Sequence, residues 1–209
     1  MRGKFITLEG GEGVGKSTQV VALADALRAC GLIVLVTREP GGSAGAEHIR
    51  ELLLHHSIDA WLSQTEALLF AAARSDHVAR VIRPALERGE WVLCDRFIDS
   101  SRAYQGGGSG LSDDDIMTLH HIGSGGLLPD RTLLFALDSA AREERRCLRK
   151  LDRPDRFEER QSDFHDRVAA AFAALAMREP ERFRMIDASG EPEAVTTRIL
   201  SALSDILPC

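Results

Sequence analysis

The residues with the clearest chemical potential form a glycine-rich run near the N-terminus, Gly10-Gly11-Glu12-Gly13-Val14-Gly15-Lys16-Ser17. The run matches the pattern GxxxxGK followed by Ser or Thr, the P-loop, whose glycines let backbone N–H groups turn inward around an anion. The helix predicted to begin at Lys16 adds its positive dipole end. The Lys16 ammonium can reach the outer phosphates of a nucleoside triphosphate, and the Ser17 hydroxyl can ligate Mg²⁺. We therefore predict a triphosphate site formed by this run and the adjacent Thr18.

A second set of charged residues follows the next two predicted strands, in the stretches Thr37-Arg38-Glu39-Pro40-Gly41-Gly42 and Asp95-Arg96-Phe97. Open α/β sheets bind ligands at the carboxyl ends of their strands. Arg96 offers a planar donor fork suited to a phosphate, and Asp95 lies where a carboxylate can hold Mg²⁺ or its waters. Each stretch alone is compatible with a surface ion pair. Beside a P-loop, the two together predict a second anion site.

Other classes of P-loop protein fit the remaining sequence less well. A GTPase reads guanine with an Asn-Lys-x-Asp motif, and this chain contains no asparagine. An ABC-type ATPase needs a Leu-Ser-Gly-Gly-Gln partner motif, which is absent from the sequence. A non-catalytic nucleotide sensor stays open, but it has no need of a second set of anion-binding residues.

Strand-like and helix-like segments alternate along the chain, which predicts an α/β fold with a parallel sheet flanked by helices. The predicted strands are 5–8, 32–36, 91–94, 132–137 and 183–186. The predicted helices are 17–30, 64–88, one beginning at Ser112, 139–149, 162–177 and 192–207. Segment 32–36 is almost wholly aliphatic, which is typical of a strand buried on both faces.

Composition limits the possible partners and location. The chain has 209 residues, of which 44% are hydrophobic and 28% charged, as expected for one soluble globular domain. Its net charge of −6 disfavours binding to nucleic acid by bulk electrostatics. No signal-peptide pattern is present, and no apolar run approaches the ~20 residues of a membrane span. We therefore expect a cytoplasmic protein that binds neither nucleic acid nor membranes.

The motifs together resemble bacterial thymidylate kinase, a P-loop nucleoside monophosphate kinase. The resemblance rests on the P-loop, the two stretches above, Leu69-Phe70-Ala71-Ala72-Ala73-Arg74 and Ala103-Tyr104-Gln105-Gly106-Gly107-Gly108, in this order along nearly the whole chain. It implies one P-loop kinase domain over 1–209 with a five-stranded parallel sheet, usually as a homodimer. It also implies transfer of the γ-phosphoryl group of ATP, with Mg²⁺, to dTMP for dTTP synthesis. The alternative is another P-loop nucleotide or deoxynucleoside kinase.

The resemblance also implies roles for individual residues. Glu12 approaches the acceptor's sugar and phosphate, and Arg96 holds the acceptor phosphate. Phe70 stacks on thymine and Arg74 binds the base; because they are four residues apart on a predicted helix, they share one face. The expected substrate-binding set is Glu12, Arg38, Phe70, Arg74, Arg96, Ser101 and Gln105. The expected catalytic set is Lys16, Arg96, Arg153 and Arg156, and the expected metal-binding pair is Ser17 and Asp95.

Two departures from the family pattern concern charge. Some thymidylate kinases carry an arginine in the P-loop where this chain has Gly13, so a cation must come from elsewhere, as in the type with a basic lid. Segment 151–159 contains Pro154 and lacks helical periodicity, so we predict a lid loop at about 150–160 that carries Arg153 and Arg156. Many relatives also have an arginine where Ser109 stands, which leaves the role of the neighbouring glycines open.

Overall fold

Five parallel strands form one sheet in the order β2-β3-β1-β4-β5, within a computed structural model that describes residues 2–54, 61–137, 160 and 162–207. The strands are β1 Phe5–Glu9, β2 Val34–Arg38, β3 Trp91–Asp95, β4 Arg131–Ala136 and β5 Phe183–Asp187. The predicted five-stranded parallel sheet is confirmed, with strand bounds within two residues of those expected. The carboxyl ends of β1, β2 and β3 meet at one edge of this sheet.

The prediction that the second strand is buried on both faces is wrong. β2 is an edge strand that pairs only with β3 in the described sheet, and Val34 is its one buried residue. Val36 is exposed. An aliphatic run indicates that a strand is apolar. How much of the strand is buried depends also on its position in the sheet, and an edge strand is covered less than a central one.

The described helices are α1 Lys16–Ala29, α2 Ala44–Leu54, α3 Ser63–His77, α4 Arg83–Glu87, α5 Ile98–Ser101, α6 Asp113–Ser124, α7 Ser162–Arg178 and α8 Pro192–Ala202. Two π-helical segments continue them: π1 Val78–Ile82 joins α3 to α4, and π2 Arg102–Gly108 extends α5. The predicted helix 139–149 lies outside the described residues. Among the described helices, none is long and apolar enough to span a membrane.

The long helix predicted over 64–88 is helical throughout, but its hydrogen-bonding pattern changes near its end. The wide turn π1 comes immediately before α4, whose second residue is Pro84. Proline has no N–H to donate to the preceding turn, and a π turn is one way in which a helix accommodates that loss. The expected helix 192–207 ends earlier, at Ala202.

Helices cover both faces of the sheet. Successive residues of β1 point to opposite sides, so its apolar side chains need packing partners on both faces. Ile6 and Leu8 pack in one buried cluster with Leu23 of α1 and Ile199 of α8. Phe5 packs in another cluster on the side of π1 and α4. The sheet therefore forms the central layer of three, and the loops at its carboxyl edge are left to build a site.

A buried ion network fixes α5 and π2 against the sheet. The Asp99 side chain is fully buried and accepts hydrogen bonds from Arg182 Nη1 at 2.6 Å and from Arg102 Nη1 at 3.2 Å. Thr132 Oγ1 in β4 donates to the same carboxylate at 3.1 Å. A buried carboxylate needs such partners, since an unpaired one carries a large desolvation penalty. The network anchors the helical segment on which Ser101 and Gln105 lie.

The glycines of π2 let α7 approach closely. A Cβ atom on Gly107 would lie 2.4 Å from Ala171 Cβ, and one on Gly108 would lie 2.5 Å from the Phe164 ring. Either contact is too short for a real Cβ atom, so glycine is required by packing at both positions. This close approach gives the glycine stretch a structural role that the sequence left open.

Candidate active site

The P-loop joins β1 to α1 through glycines in conformations that other residues rarely adopt. Gly13 and Gly15 have φ angles of 73° and 93°, and Gly15 caps the N-terminus of α1. Lys16 Nζ donates to the carbonyl oxygens of Gly10 at 3.1 Å and Gly11 at 2.7 Å. Burial, together with the nearby charge of Arg96, lowers the pKa of Lys16 to about 8. The lysine is therefore held within the turn, where a phosphate anion would meet its ammonium and the helix N-terminus.

The predicted metal-binding pair lies together. Ser17 Oγ donates to Asp95 Oδ2 at 3.0 Å, because β1 and β3 are neighbours and Leu8 is in register with Asp95. Across the described ranges, no group of three or more His, Cys, Asp or Glu residues is arranged to hold a metal. A hydroxyl and a carboxylate fit Mg²⁺, which takes few protein oxygens and completes its shell with water and substrate phosphate.

Arg96 lies in a strained backbone conformation beside the P-loop. Its φ of 67° falls in the left-handed region, which is uncommon for a residue with a side chain and occurs often at functional sites. Its Nη1 donates to Gly10 O and to Ser100 Oγ, both at 3.0 Å. Its Nη2 pairs with the Glu12 carboxylate, which also accepts a hydrogen bond from the Tyr104 hydroxyl at 3.0 Å.

Charges around Glu12 outweigh its burial. Burial raises the pKa of Glu12, but the positive charges of Arg96 and Lys16 lower it by a larger amount. The pKa therefore lies below its usual value. Glu12 is therefore held as a carboxylate between the two cations of the site. An anion that binds Arg96 must share that guanidinium with Glu12.

Glu9, which carried no sequence signal, hydrogen-bonds to the turn that follows Arg96. Its side chain is buried and accepts hydrogen bonds from the Phe97 N–H at 2.7 Å and from Ser100 Oγ at 2.6 Å. Burial, followed by the charge of Asp99, raises the pKa of Glu9 to about 8. The shift favours the neutral form of Glu9, and its two hydrogen bonds fix the turn that carries Arg96.

Replacing Glu9 by glutamine should remove a pH dependence of stability. Between the unfolded pKa near 4.5 and the folded pKa of about 8, the native state binds more protons than the unfolded state. The contribution of Glu9 is then complete below the lower value and is lost as the pH rises through the upper one, with a slope of up to about 1.4 kcal/mol per pH unit. Urea unfolding across this range should show the slope in the native chain and its loss in Glu9→Gln. Parallel profiles would mean that Glu9 is ionised in the folded protein.

A cavity of about 290 Å³ brings all of the predicted acceptor-binding residues together. Its lining includes Glu12, Arg38, Phe70, Arg74, Arg96, Ser101 and Gln105. Ser17 and Asp95 also line it, so the cavity is continuous with the P-loop. Phe70 is half-buried and packs against the cluster formed by π2 and α7, with part of its surface left in the cavity.

Arg74 is held by three hydrogen-bond acceptors, of which only Ser101 belongs to the predicted substrate-binding set. Its Nε donates to Glu39 Oε2 at 2.7 Å, and its Nη2 donates to Ser101 Oγ at 2.9 Å and to Phe97 O at 3.3 Å. Glu39 in turn contacts His77 Nδ1 at 3.0 Å. Among the described residues Nη1 has no hydrogen-bond partner, so it is the part of the guanidinium that remains for a ligand in the cavity.

Sequence comparison decides the family of this site. A family model described as thymidylate kinase matches residues 8–199. The thymidylate kinase of Rhizorhabdus wittichii is 61% identical over 208 residues, covering 100% of both chains. That of Bradyrhizobium diazoefficiens is 48% identical over 207 residues, covering 99% of this chain and 91% of its own.

This chain belongs to the thymidylate kinase family.

A solved thymidylate kinase has the same fold. The crystal structure of the enzyme from Ehrlichia chaffeensis superimposes with a TM-score of 0.77 at 31% sequence identity, covering 97% of this chain and 99% of that one. The expected P-loop kinase fold, with five parallel strands between helices, is therefore confirmed.

The thymidylate kinase site includes residues that the sequence signalled and others that it did not. Glu39 and Tyr104 lie within sequence stretches that carry the family resemblance, but the sequence predicted no role for either residue. Glu9 had no such signal, since it ends an apolar strand. Thr18 is exposed on α1 and does not line the cavity. The predicted lid residues Arg153 and Arg156 lie outside the described residues, so their role stays a prediction.

Proposed function

We propose that this kinase transfers the γ-phosphoryl group of ATP to dTMP, giving dTDP and ADP, as a step of dTTP synthesis. The observation that carries the proposal is that one cavity links the P-loop to Phe70 and Arg74. One end offers cations to phosphates, and the other offers a flat aromatic face and a fixed guanidinium to a base. We place the activity in the cytoplasm, where ATP is used for nucleotide synthesis; cell fractionation tests this location.

The chemistry requires positioning and neutralisation of charge more than covalent catalysis. The attacking group is a phosphate oxygen of dTMP, whose second pKa of about 6 leaves it largely ionised at neutral pH. No strong general base is therefore needed. Arg96 would orient the acceptor phosphate, and Lys16 would stabilise charge on the transferred group. Mg²⁺, held by Ser17 and Asp95, would neutralise the ATP phosphates, and removing it with a chelator should abolish turnover.

The base end of the cavity favours a pyrimidine. Phe70 offers an apolar face on which a ring can stack, and Arg74 Nη1 can donate to a carbonyl oxygen at the ring edge. The remaining partners of Arg74 fix its guanidinium before a ligand binds. This preorganisation supports recognition of thymine over bases that lack a carbonyl at that position.

A panel of acceptors tests the proposal. We expect dTMP to be the best substrate, and dUMP to be about ten- to two-hundredfold lower in kcat/KM, because a pocket fitted to one methyl group gains only that much. Purine monophosphates should fail far more completely because they are larger. Coupled ADP-release assays with dTMP, dUMP, dGMP, dAMP and thymidine measure these values.

Phe70→Ala should reduce kcat/KM for dTMP, whereas Gln64→Ala, on the exposed surface of the same helix, should not. Activity with dGMP or dAMP equal to that with dTMP would contradict the assignment. A preference for thymidine over dTMP would favour a deoxynucleoside kinase. ATP binding with no increase in ADP release on addition of any acceptor would favour a nucleotide sensor.

We also propose that the protein is a homodimer, supported by an apolar surface on α2, α3 and α6. Large hydrophobic side chains are exposed there, among them Leu68 and Ile122 at 55% and 77% exposure. Leu52 on α2 and Leu62 at the start of α3 add to it. Since α3 contacts both α2 and α6, these side chains lie on neighbouring helices, and exposed apolar surface of this kind is typical of interfaces. Sedimentation equilibrium tests the proposal: a mass near the 22.9 kDa of one chain would exclude a dimer.

A further inference from the structure

The side chain of Gln105 is held in one orientation within the cavity wall. It is almost completely buried, and its Nε2 donates to Glu66 Oε1 at 2.8 Å. Glu66 is equally buried, and its other oxygen accepts a hydrogen bond from Arg160 Nη2 at 3.0 Å. The Arg160 guanidinium also lies 4.5 Å from the centre of the Phe164 ring. A carboxylate with its counter-charge therefore stands directly behind a residue that faces the ligand.

The chemistry of a carboxylate decides which end of the amide remains available. An ionised carboxylate only accepts hydrogen bonds, whereas a glutamine amide has one donating end and one accepting end. Glu66 must therefore bind the NH₂ end, which leaves Gln105 Oε1 for other contacts. Within the described part of the chain, this oxygen makes no hydrogen bond. The cavity lining consequently includes an acceptor, Gln105 Oε1, as well as the Arg74 donor.

We propose that Glu66 is a positioning residue that sets base specificity by fixing Gln105 with its carbonyl oxygen toward the ligand. The inference rests on the proposed function and names the base edge that the site reads. Thymine and uracil carry an N3–H donor next to the O4 acceptor. Gln105 Oε1 would accept from N3–H while Arg74 Nη1 donates to O4.

Cytosine presents the opposite pattern at both positions. Its N3 is an acceptor and its 4-amino group is a donor, so each would meet a group of its own kind. Leaving such groups unpaired in a desolvated pocket is costly. The site would thus reject cytosine through hydrogen bonds and distinguish uracil from thymine only through the methyl group.

Glu66→Gln tests this inference. A glutamine at position 66 can accept as well as donate, so Gln105 is free to turn its NH₂ end to the ligand. We expect the ratio of kcat/KM for dTMP to that for dCMP to fall about ten- to hundredfold, the range for one unpaired buried group. The dTMP-to-dUMP ratio should stay unchanged, because both bases share the N3–H and O4 edge. General loosening of the pocket would change both ratios.

Asp205→Asn is a matched control. It makes the same carboxylate-to-amide change in a residue that pairs with Arg131 and Arg184, outside the cavity and outside the ion network that anchors Gln105. Both acceptor ratios should keep their native values in this variant. Thermal unfolding of the two variants separates loss of stability from loss of specificity.

A double-mutant cycle with Gln105→Met locates the effect. Methionine fills a similar volume but has no strong hydrogen-bond acceptor. Gln105→Met alone should therefore lower the ratio of kcat/KM for dTMP to that for dCMP. If Glu66→Gln does not fold, this single variant is the test. If Glu66 acts through Gln105, adding Glu66→Gln to Gln105→Met should change that ratio no further. Additive effects, or an unchanged ratio in either single variant, would overturn the inference. A native chain that does not use dTMP at all would instead refute the proposed function.

Discussion

Lys16→Ala should lower kcat by at least about 10²- to 10³-fold while the protein remains folded. The ammonium is buried in the turn of the P-loop and bonded to the carbonyl oxygens of Gly10 and Gly11. In this partly desolvated position a fixed positive charge stabilises the charge that develops on the transferred phosphoryl group far more than it would in water. Steady-state kinetics with saturating ATP and dTMP measure the loss.

Lys4→Ala is the matched control for this effect. Lys4 is another of the chain's three lysines, but it is partly exposed and pairs with Asp130 at 3.2 Å, outside the cavity. A surface pair of this kind contributes little, so this variant should keep its kcat. Circular dichroism establishes that both variants are folded. A folded Lys16→Ala protein with near-native turnover would remove Lys16 from the mechanism.

Replacing Arg153 or Arg156 by alanine should lower kcat by up to about 10³- to 10⁵-fold, the range of arginine fingers in related phosphoryl transfers. The described part of the P-loop site has Lys16 and Arg96 as its cations, and Arg96 is already engaged by Glu12, Gly10 O and Ser100. Gly13 adds no charge, although a Cβ atom there would meet nothing within 4 Å. We therefore expect the lid to supply a further cation at the transferred phosphoryl group.

The described residues nearest to the predicted lid, on either side of it in sequence, lie near the P-loop and behind the cavity. β4 ends at Ala136 beside the P-loop, since a Cβ on Gly10 would lie 2.7 Å from Phe135 O. On the other side, Arg160 contacts Glu66 behind the acceptor cavity. The described residues that flank segment 138–159 therefore lie close to the P-loop and to the cavity, and a lid at about 150–160 stays a prediction.

The kinetic pattern separates a lid arginine from a binding residue. Alanine at the essential position should reduce kcat more than it raises KM for dTMP, because the interaction forms with the transferred phosphoryl group. Arg146→Ala, outside the predicted lid, should leave both constants near their native values. Native kcat in both Arg153→Ala and Arg156→Ala would mean that another residue supplies the charge.

The sequence by itself determined the fold class and most of the cavity lining. Strand and helix periodicity is a local property, so alternation along the chain was enough to predict the parallel sheet. The P-loop, Arg38 and Arg96 each follow a strand, and parallel strands bring such residues to one edge. Phe70 and Arg74 share a helix face, and Ser101 and Gln105 lie on a helical segment as their spacing allowed.

Only the tertiary structure decided the position of β2 at the edge and the partners of the buried polar groups. Glu39 meets Arg74, Glu66 meets Gln105, and Asp99 meets Arg182, each across a long stretch of chain. Such pairs depend on how helices and strands cross, which local periodicity does not record. The raised pKa of Glu9 has the same origin, because it comes from burial and a neighbouring charge that exist only once the sheet and α5 are packed together.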